Sequence, residues 1–168
     1  MKKSLVLDAM VLIHLSKLNL IDACYRLYDT SHITEKVLSE TIVEDKKDTF
    51  PEIIIIQKEL KEGKIKVHNV DGKKLAWTTQ FAIYDGEAES VLLAKEKGFI
   101  LATDDNNVRN KMQLLEIKLI GTPRIIMDLL LSKKITKEKA KEAVIFLKKE
   151  GWFNQVIIDK MLEVIGHV

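Results

Sequence analysis

The sequence has little of what stabilises small secreted proteins. It contains one cysteine, Cys24, and only two prolines among 168 residues. A single cysteine cannot form an intramolecular disulfide, and it excludes the Cys-rich type of structural zinc site. A reducing, cytoplasmic location is therefore expected. Because 46% of the residues are hydrophobic, the chain can bury a core without such cross-links.

Long hydrophobic runs and a strong charge of one sign are also missing. No apolar segment approaches the roughly 20 residues that cross a bilayer. The opening MKKSLVLDAMVLIHL imitates a secretion signal, but Asp8 interrupts its apolar stretch and no small-residue cleavage site follows. The net charge is only +2, so any phosphate binding must come from local patches or bound metal. We expect a soluble protein with no membrane partner.

Short apolar segments alternate with amphipathic ones along the chain. SLVL, SHI, KIKVHNV, GFILAT and IKLIG are typical of strands, and the segments between them have helical periodicity. PEIIIIQKELKEG is ambiguous, because its isoleucines favour a strand while its first proline and terminal Gly63 favour a helix. We predict a helix there. The alternation as a whole predicts an α/β fold with a mainly parallel central sheet flanked by helices.

Residues typical of helix ends mark several boundaries. Thr34 is a predicted N-cap, and Gly98 ends the helix that covers roughly Glu87 to Lys97. Thr122 is predicted to cap a helix that has Pro123 in its first turn. Two further helices, TKEKAKEAVIFLKKEG and FNQVIIDKMLEVIG, close the chain. A chain of this length fits one domain.

Two of the predicted strands end in aspartates. Asp8 directly follows SLVL, and Asp104 and Asp105 directly follow GFILAT. Ligand sites in open parallel sheets form beyond the carboxyl ends of the strands, so these carboxylates should converge. Clustered carboxylates repel unless a cation joins them, and oxygen ligands without His or Cys suit Mg²⁺ or Mn²⁺. The alternative is that Asp8 and Asp104 each cap the helix that follows.

Two glutamates are further candidates. Glu87 lies in the first turn of its predicted helix, and Glu40 lies mid-helix in VLSE. Spacing alone does not distinguish Glu40 from Glu44, which is equally well placed. As isolated residues, such glutamates are more often solvated surface than ligands.

Four segments together resemble a known family. They are LVLDAMVLIHLSKL, VLSE, DGEAESVLLAKEKG and LATDDNNVR, and in that order they resemble the PIN domain. PIN domains, including VapC-type toxins, are compact α/β nucleases. IGTPRIIMDLLLSKKI and GWFNQVIIDKMLEVIG are similar to a PIN subgroup with a helical C-terminal extension. The resemblance implies a PIN-like three-layer fold, with a nuclease core over residues 1–125 and a helical extension over 126–168 packed on the same domain.

The resemblance also implies a site and an activity. The family's acidic quartet matches Asp8, Glu40, Glu87 and Asp104, with metal ligands at Asp8, Glu87, Asp104 and Asp105, and substrate contacts at Thr103 and Arg109. The implied activity is Mg²⁺- or Mn²⁺-dependent hydrolysis of RNA phosphodiester bonds. The implied partners are RNA, an antitoxin protein if the chain is a VapC-type toxin, and a second copy in a homodimer.

Other interpretations remain open at this point. PIN domains commonly have Thr or Ser and then Ser or Asn after the first aspartate, whereas this chain has Ala9 and Met10. A catalytically weak scaffold that binds RNA or protein is therefore one alternative, and an RNA-processing nuclease without an antitoxin is another. Phosphatases of the haloacid dehalogenase type need a second aspartate where Met10 stands, which argues against them.

The remaining polar and aromatic residues form no motif. The four histidines share no spacing and are interpreted as structural or surface residues. Trp77, Trp152 and Phe153 flank amphipathic helices, so we expect them to pack in the core or an interface rather than to stack on bases. Cys24 lies in an apolar helix and should be inert.

Overall fold

The central sheet has five strands, and all of them are parallel. The computed structural model describes residues 3–42, 50–112 and 116–168. The strands are β1 Leu5–Leu7, β2 Ser31–Thr34, β3 Ile65–His68, β4 Ile100–Ala102 and β5 Leu119–Ile120. Their order across the sheet is β3-β2-β1-β4-β5, so β1 and β4 are neighbours near the centre. The predicted α/β fold with a parallel central sheet is confirmed.

Helices connect the strands and cover both faces of the sheet. They are α1 Ala9–Lys17, α2 Ile21–Tyr28, α3 Glu35–Thr41, α4 Pro51–Lys61, α5 Asp85–Lys97, α6 Asn106–Met112, α7 Thr122–Leu131, α8 Lys137–Glu150 and α9 Gln155–His167. A stretch of 3-10 turns covers Gly72–Phe81, for which the sequence pattern predicted no element. The helix predicted over DNNVRNKMQLL includes positions 113–115, which lie outside the described residues.

Most of the predicted helix ends are confirmed. The Thr34 side chain accepts a hydrogen bond from the Val37 amide, and Gly98 ends α5 with a φ of 66°. The isoleucine-rich segment is α4, as predicted, since Ile53 and Ile56 are buried on its inner face. Helical spacing of two buried side chains thus outweighed the strand preference of isoleucine.

The predicted N-cap at Thr122 is wrong. Gly121 occupies the N-cap position of α7 and makes no side-chain bond, while Thr122 is the first helical residue. Its hydroxyl donates to a carboxylate 18 positions earlier in the chain, Asp104. The Thr122 hydroxyl therefore hydrogen-bonds to a residue distant in the sequence, whereas the capping rule predicted a bond to the amides of its own helix.

The C-terminal helices share the main hydrophobic core with the sheet. Buried residues of α9, such as Ile158 and Ile165, belong to the same cluster as Leu5 and Leu7 of β1. A second cluster on the other face packs α5 against β1 and β4. The division after residue 125 falls inside α7. Within the described ranges, no helix is long and apolar enough to span a bilayer.

The strand register brings two chain segments together at one edge of the sheet. Leu7 of β1 pairs with Ala102 of β4, and the Asp8 amide donates to the Ala102 carbonyl over 3.0 Å. The residues that follow, Asp8 and Thr103–Asp104, therefore leave the sheet side by side. This edge, at the carboxyl ends of the parallel strands, is where ligands bind in open α/β sheets.

Candidate active site

A cavity of about 440 Å³ opens beyond the carboxyl ends of β1 and β4. Its lining includes Asp8, Glu40, Glu87, Asp104, Asp105 and Trp152. The acidic residues come from four separate parts of the chain: the end of β1, α3, α5 and the end of β4. The fold therefore gathers five carboxylates at one opening.

Asp8 is the most buried of these residues, with 6% of its surface exposed. Its Oδ1 accepts a hydrogen bond from the Val11 amide over 2.7 Å, so Asp8 is the N-cap of α1, as the alternative interpretation proposed. Burial raises its pKa from 3.8 to about 7, assisted by the charges of Asp104 and Glu87 and opposed by hydrogen bonds from Thr103 and Val11. An ionised Asp8 is thus costly unless a cation joins it.

Asp104 is held by two helices. Its Oδ1 accepts from the Thr122 amide over 2.7 Å, and its Oδ2 accepts from the Thr122 hydroxyl of α7. The same Oδ2 lies 3.1 Å from Nδ1 of His14 in α1. When Asp104 is ionised its Oδ2 accepts this hydrogen bond, and Nδ1 of His14 donates it. The carboxylate is held by contacts from two distant parts of the sequence, α1 and α7.

Asp105 caps the helix that follows β4, a role that the sequence analysis offered as an alternative for Asp104. Its Oδ1 accepts from the Val108 amide over 2.9 Å, which is a capping bond to the first turn of α6. Asp104 is directed instead toward α1 and α7. Asp105 therefore caps α6, and Asp104 does not.

Two glutamates complete the acidic lining. Glu87 is half-buried in the first turn of α5, and its pKa is raised by burial, by Asp105 and by Glu40. A Cβ atom built on Gly86 would lie 2.7 Å from Oε2 of Glu40, so the absence of a side chain at Gly86 leaves room for the Glu40 carboxylate against α5. Glu44, which spacing could not distinguish from Glu40, lies outside the described residues.

Thr103 and Arg109 support the corner between β4 and α6. Thr103 is 1% exposed, and its hydroxyl accepts from the Asp105 amide and hydrogen-bonds to Asp8. Arg109 Nη1 donates to the Thr103 carbonyl over 3.0 Å. Because Thr103 is buried, its side chain is better placed to orient Asp8 than to contact a substrate. Arg109 is half-buried, and its guanidinium has N–H donors beyond the one bound to Thr103.

Comparison with known families gives a decisive match. A family model described as DUF3368, PIN domain, matches residues 4–167. The chain belongs to the PIN-domain family. No curated protein matches it. PIN domains are in general nucleases, and the five-stranded parallel sheet is the fold expected of one.

The donor set of this PIN domain fits a divalent cation by atom type and charge. Every candidate ligand is a carboxylate, and burial raises the pKa of Asp8 and of Glu87, with neighbouring acidic side chains adding to both shifts. In the described part of the chain, however, no three acidic, histidine or cysteine side chains lie close enough together to hold one ion. The support for metal binding therefore comes from the carboxylate ligands themselves and not from the distances between them.

Sequence analysis missed three residues of the PIN domain's site. His14 and Thr122 hold Asp104, yet they lie 90 and 18 positions from it along the chain. Trp152, expected to pack in the core or an interface, lies 67% exposed on the wall of the cavity. Of these, only His14 carried a signal, because a histidine on the inner face of an apolar helix needs a buried polar partner.

Proposed function

We propose that this PIN domain is a metal-dependent endoribonuclease that hydrolyses RNA phosphodiester bonds. The observation that carries the proposal is the group of carboxylates around one cavity, in which burial and like charge raise the pKa of Asp8 to about 7. Such an arrangement is unfavourable for folding alone. It becomes favourable when the cavity binds cations, and phosphate oxygens bind to the same cations.

Asp8, Glu87, Asp104 and Asp105 are the residues that would hold Mg²⁺ or Mn²⁺, with Glu40 completing the acidic set. When bound, such an ion supplies Lewis-acid stabilisation of the charge that develops on the phosphate. The chain's own residues fix the ligands: Thr122 and His14 orient Asp104, and Thr103 orients Asp8. The side chain of Arg109 has donors beyond its bond to Thr103 and would contact phosphate.

The biological setting belongs to the same proposal. The likeness to VapC-type sequences supports a toxin of a toxin–antitoxin pair, acting as a homodimer and restrained by an antitoxin protein. A small antitoxin reading frame immediately upstream, whose product suppresses the RNA cleavage, would support this role. An RNA-processing nuclease would lack such a partner.

One observation favours a second candidate, a PIN scaffold that binds RNA without cutting it. Ala9 and Met10 line the cavity directly after Asp8, so no hydroxyl or amide side chain stands there to support a bound ion. In the described ranges, no three acidic, histidine or cysteine side chains lie close enough together to hold one ion, which points the same way. The nuclease and the scaffold differ in whether they cleave RNA when metal is added.

The deciding experiment is a metal titration with a fluorescent single-stranded RNA. We expect cleavage to begin in Mn²⁺ or Mg²⁺, to stop on chelation, and to be lost in Asp8→Asn. The Asn side chain keeps the capping bond to Val11, so this variant should remain folded. RNA binding with no cleavage at any metal concentration would reject the nuclease and support the scaffold.

A further inference from the structure

A second, smaller cavity adjoins the acidic one. It has a volume of about 190 Å³, and its lining includes Arg109, Arg124, Trp152, Phe153 and Asn154. Asp104, Asn106 and Trp152 line both cavities, so the two meet along one wall. We call the smaller one the arginine–tryptophan cavity. Its lining has two arginines beside the shared Asp104, whereas the lining of its neighbour has five carboxylates.

Trp152 stands at the boundary of the two cavities with its ring uncovered. The side chain is 67% exposed, and among the described residues it makes no hydrogen bond or ring contact. Its neighbours in the chain are Gly151, which ends α8 with a φ of 78°, and Phe153, which packs against the core. An exposed indole on this turn is a flat apolar surface available to a ligand.

Two arginines supply the positive charge. Arg124 is 72% exposed in its side chain, and its Nε donates to Asp128 over 2.7 Å. Arg109 uses Nη1 for the Thr103 carbonyl. A guanidinium has five N–H donors in a planar fork, so both retain donors for a phosphate. Positive charge beside an exposed aromatic ring is the combination that binds single-stranded nucleic acid.

We propose that the arginine–tryptophan cavity binds the nucleotide next to the cleaved bond of a single-stranded RNA. An unpaired base stacks on Trp152, and the phosphate that follows it contacts Arg124. This inference rests on the proposed ribonuclease function and deepens it, since it assigns the α8–α9 turn to substrate binding and names Trp152 as the side chain that contacts the base. A base inside a duplex is already stacked and cannot use the indole.

The test measures binding without cleavage. Protein carrying Asp8→Asn is titrated in EDTA against a short fluorescein-labelled RNA strand of mixed sequence, and anisotropy gives the Kd. Trp152→Ala should raise the Kd by about 5- to 100-fold, as expected for loss of one base–aromatic stack. Trp152→Phe, which keeps a ring, should stay within about threefold of the parent. The matched control is Ile145→Ala, which removes another exposed apolar side chain that lines neither cavity.

An abasic strand identifies the stacking itself. On RNA that lacks its bases, the parent and Trp152→Ala should bind equally well. Equal loss on intact and abasic strands would overturn the stacking, and so would an intact-strand Kd that Trp152→Ala leaves unchanged. Because Trp152 is exposed, its variants should melt at the parent temperature, which separates a binding defect from misfolding.

Arg124 has a close control elsewhere on the surface. Arg26 also forms an i,i+4 ion pair through Nε, with Asp22 over 3.1 Å, but lies outside both cavities. Arg124→Ala should weaken binding and lower the slope of log K against log salt by about 0.7, as for one phosphate contact on a single strand. Arg26→Ala should change neither. If the two variants behave alike, the assignment of Arg124 is overturned.

The outcome is independent of whether the protein cuts RNA. Trp152-dependent binding in a protein that never cleaves would support the stacking of a base on Trp152 and reject the nuclease. Metal-dependent cleavage, combined with an RNA Kd that Trp152→Ala leaves unchanged, would support the nuclease and overturn the stacking on Trp152.

Discussion

Carboxylates gather at two places in this PIN domain, at opposite ends of its parallel strands. Lys64, directly before β3, lies at the amino end, 2.6 Å from Asp22, 2.8 Å from Glu62 and 3.2 Å from Glu59. The cavity beyond β1 and β4 lies at the carboxyl end and contains five acids. We refer to the first group as the lysine cluster and to the second as the acidic cavity.

The two groups shift pKa values in opposite directions. In the lysine cluster, hydrogen bonds to Lys64 lower the pKa of Asp22 and of Glu62, and those bonds raise the pKa of Lys64. In the acidic cavity, burial and neighbouring charge raise the pKa of Asp8 and of Glu87. Charge that is balanced within the fold stabilises it, whereas carboxyl groups with raised pKa values in a cavity mark a candidate functional site.

Asp104→Asn should give the largest effect, on activity. Asn keeps the shape, and His14 can change tautomer to retain its contact, so the fold should lose only about 1 kcal/mol. The negative charge is lost, and RNA cleavage should fall by roughly two to three orders of magnitude. Initial rates on a fluorescent RNA in saturating Mn²⁺ measure this.

Asp105→Asn is its control and should have a smaller effect, because Asn still caps α6 through the bond to the Val108 amide. Asp104→Asn protein that cuts RNA at the parent rate would remove Asp104 from the site.

The raised pKa of Asp8 predicts the next largest effect, on stability against pH. The folded protein binds this proton more tightly than the unfolded chain, since its pKa is about 7 rather than 3.8. Without metal, the free energy of unfolding should fall between about pH 4 and pH 7, by at most about 4 kcal/mol from this group. Urea titrations across that range, with Asp8→Asn for comparison, measure the difference.

Mn²⁺ should oppose that fall at pH 7 and raise the melting temperature, because it binds only the folded state. Asp8→Asn should respond less. A melting temperature that does not change in millimolar Mn²⁺ would argue that the acidic cavity has a purely structural role.

Lys64→Met tests the other side of the comparison. It leaves Glu59, which is 2% exposed, without its positive partner, so we expect a loss of about 1–3 kcal/mol of folding free energy. Cleavage of RNA below the melting transition should not change. Lys58→Met, which removes a more exposed lysine 3.9 Å from Glu62, should cost much less. An activity loss as large as that of Asp104→Asn would break the distinction between the two groups.

Gly86→Ala should have the smallest effect, and again on activity. The new methyl group meets the carboxylate of Glu40, whose flexible side chain can move away, so the melting temperature should hold or rise slightly. Displacing Glu40 should lower the cleavage rate by about three- to tenfold. Gly166→Ala is the matched helical control, since no atom lies within 4 Å of its added Cβ. Equal rates for both variants would make Glu40 dispensable.

Local patterns predicted the elements of the fold and the ends of its strands. Alternating segments predicted the parallel sheet, and the aspartates after SLVL and GFILAT do line one cavity. The contacts that hold those aspartates were beyond the reach of such patterns. Thr122 looked like a helix cap because a capping rule considers only its nearest neighbours, and the exposure of Trp152 depends on how α8 and α9 meet.

Asp8 both ends the first strand and begins the first helix, and this dual position has an evolutionary consequence. Asn, Ser or Thr at this position would each preserve the capping bond to Val11 while discarding the charge. Loss of catalysis therefore need not entail loss of the fold. Lineages that drift through such a change would retain an intact protein with the same surfaces, free to be selected as a binding partner rather than as an enzyme.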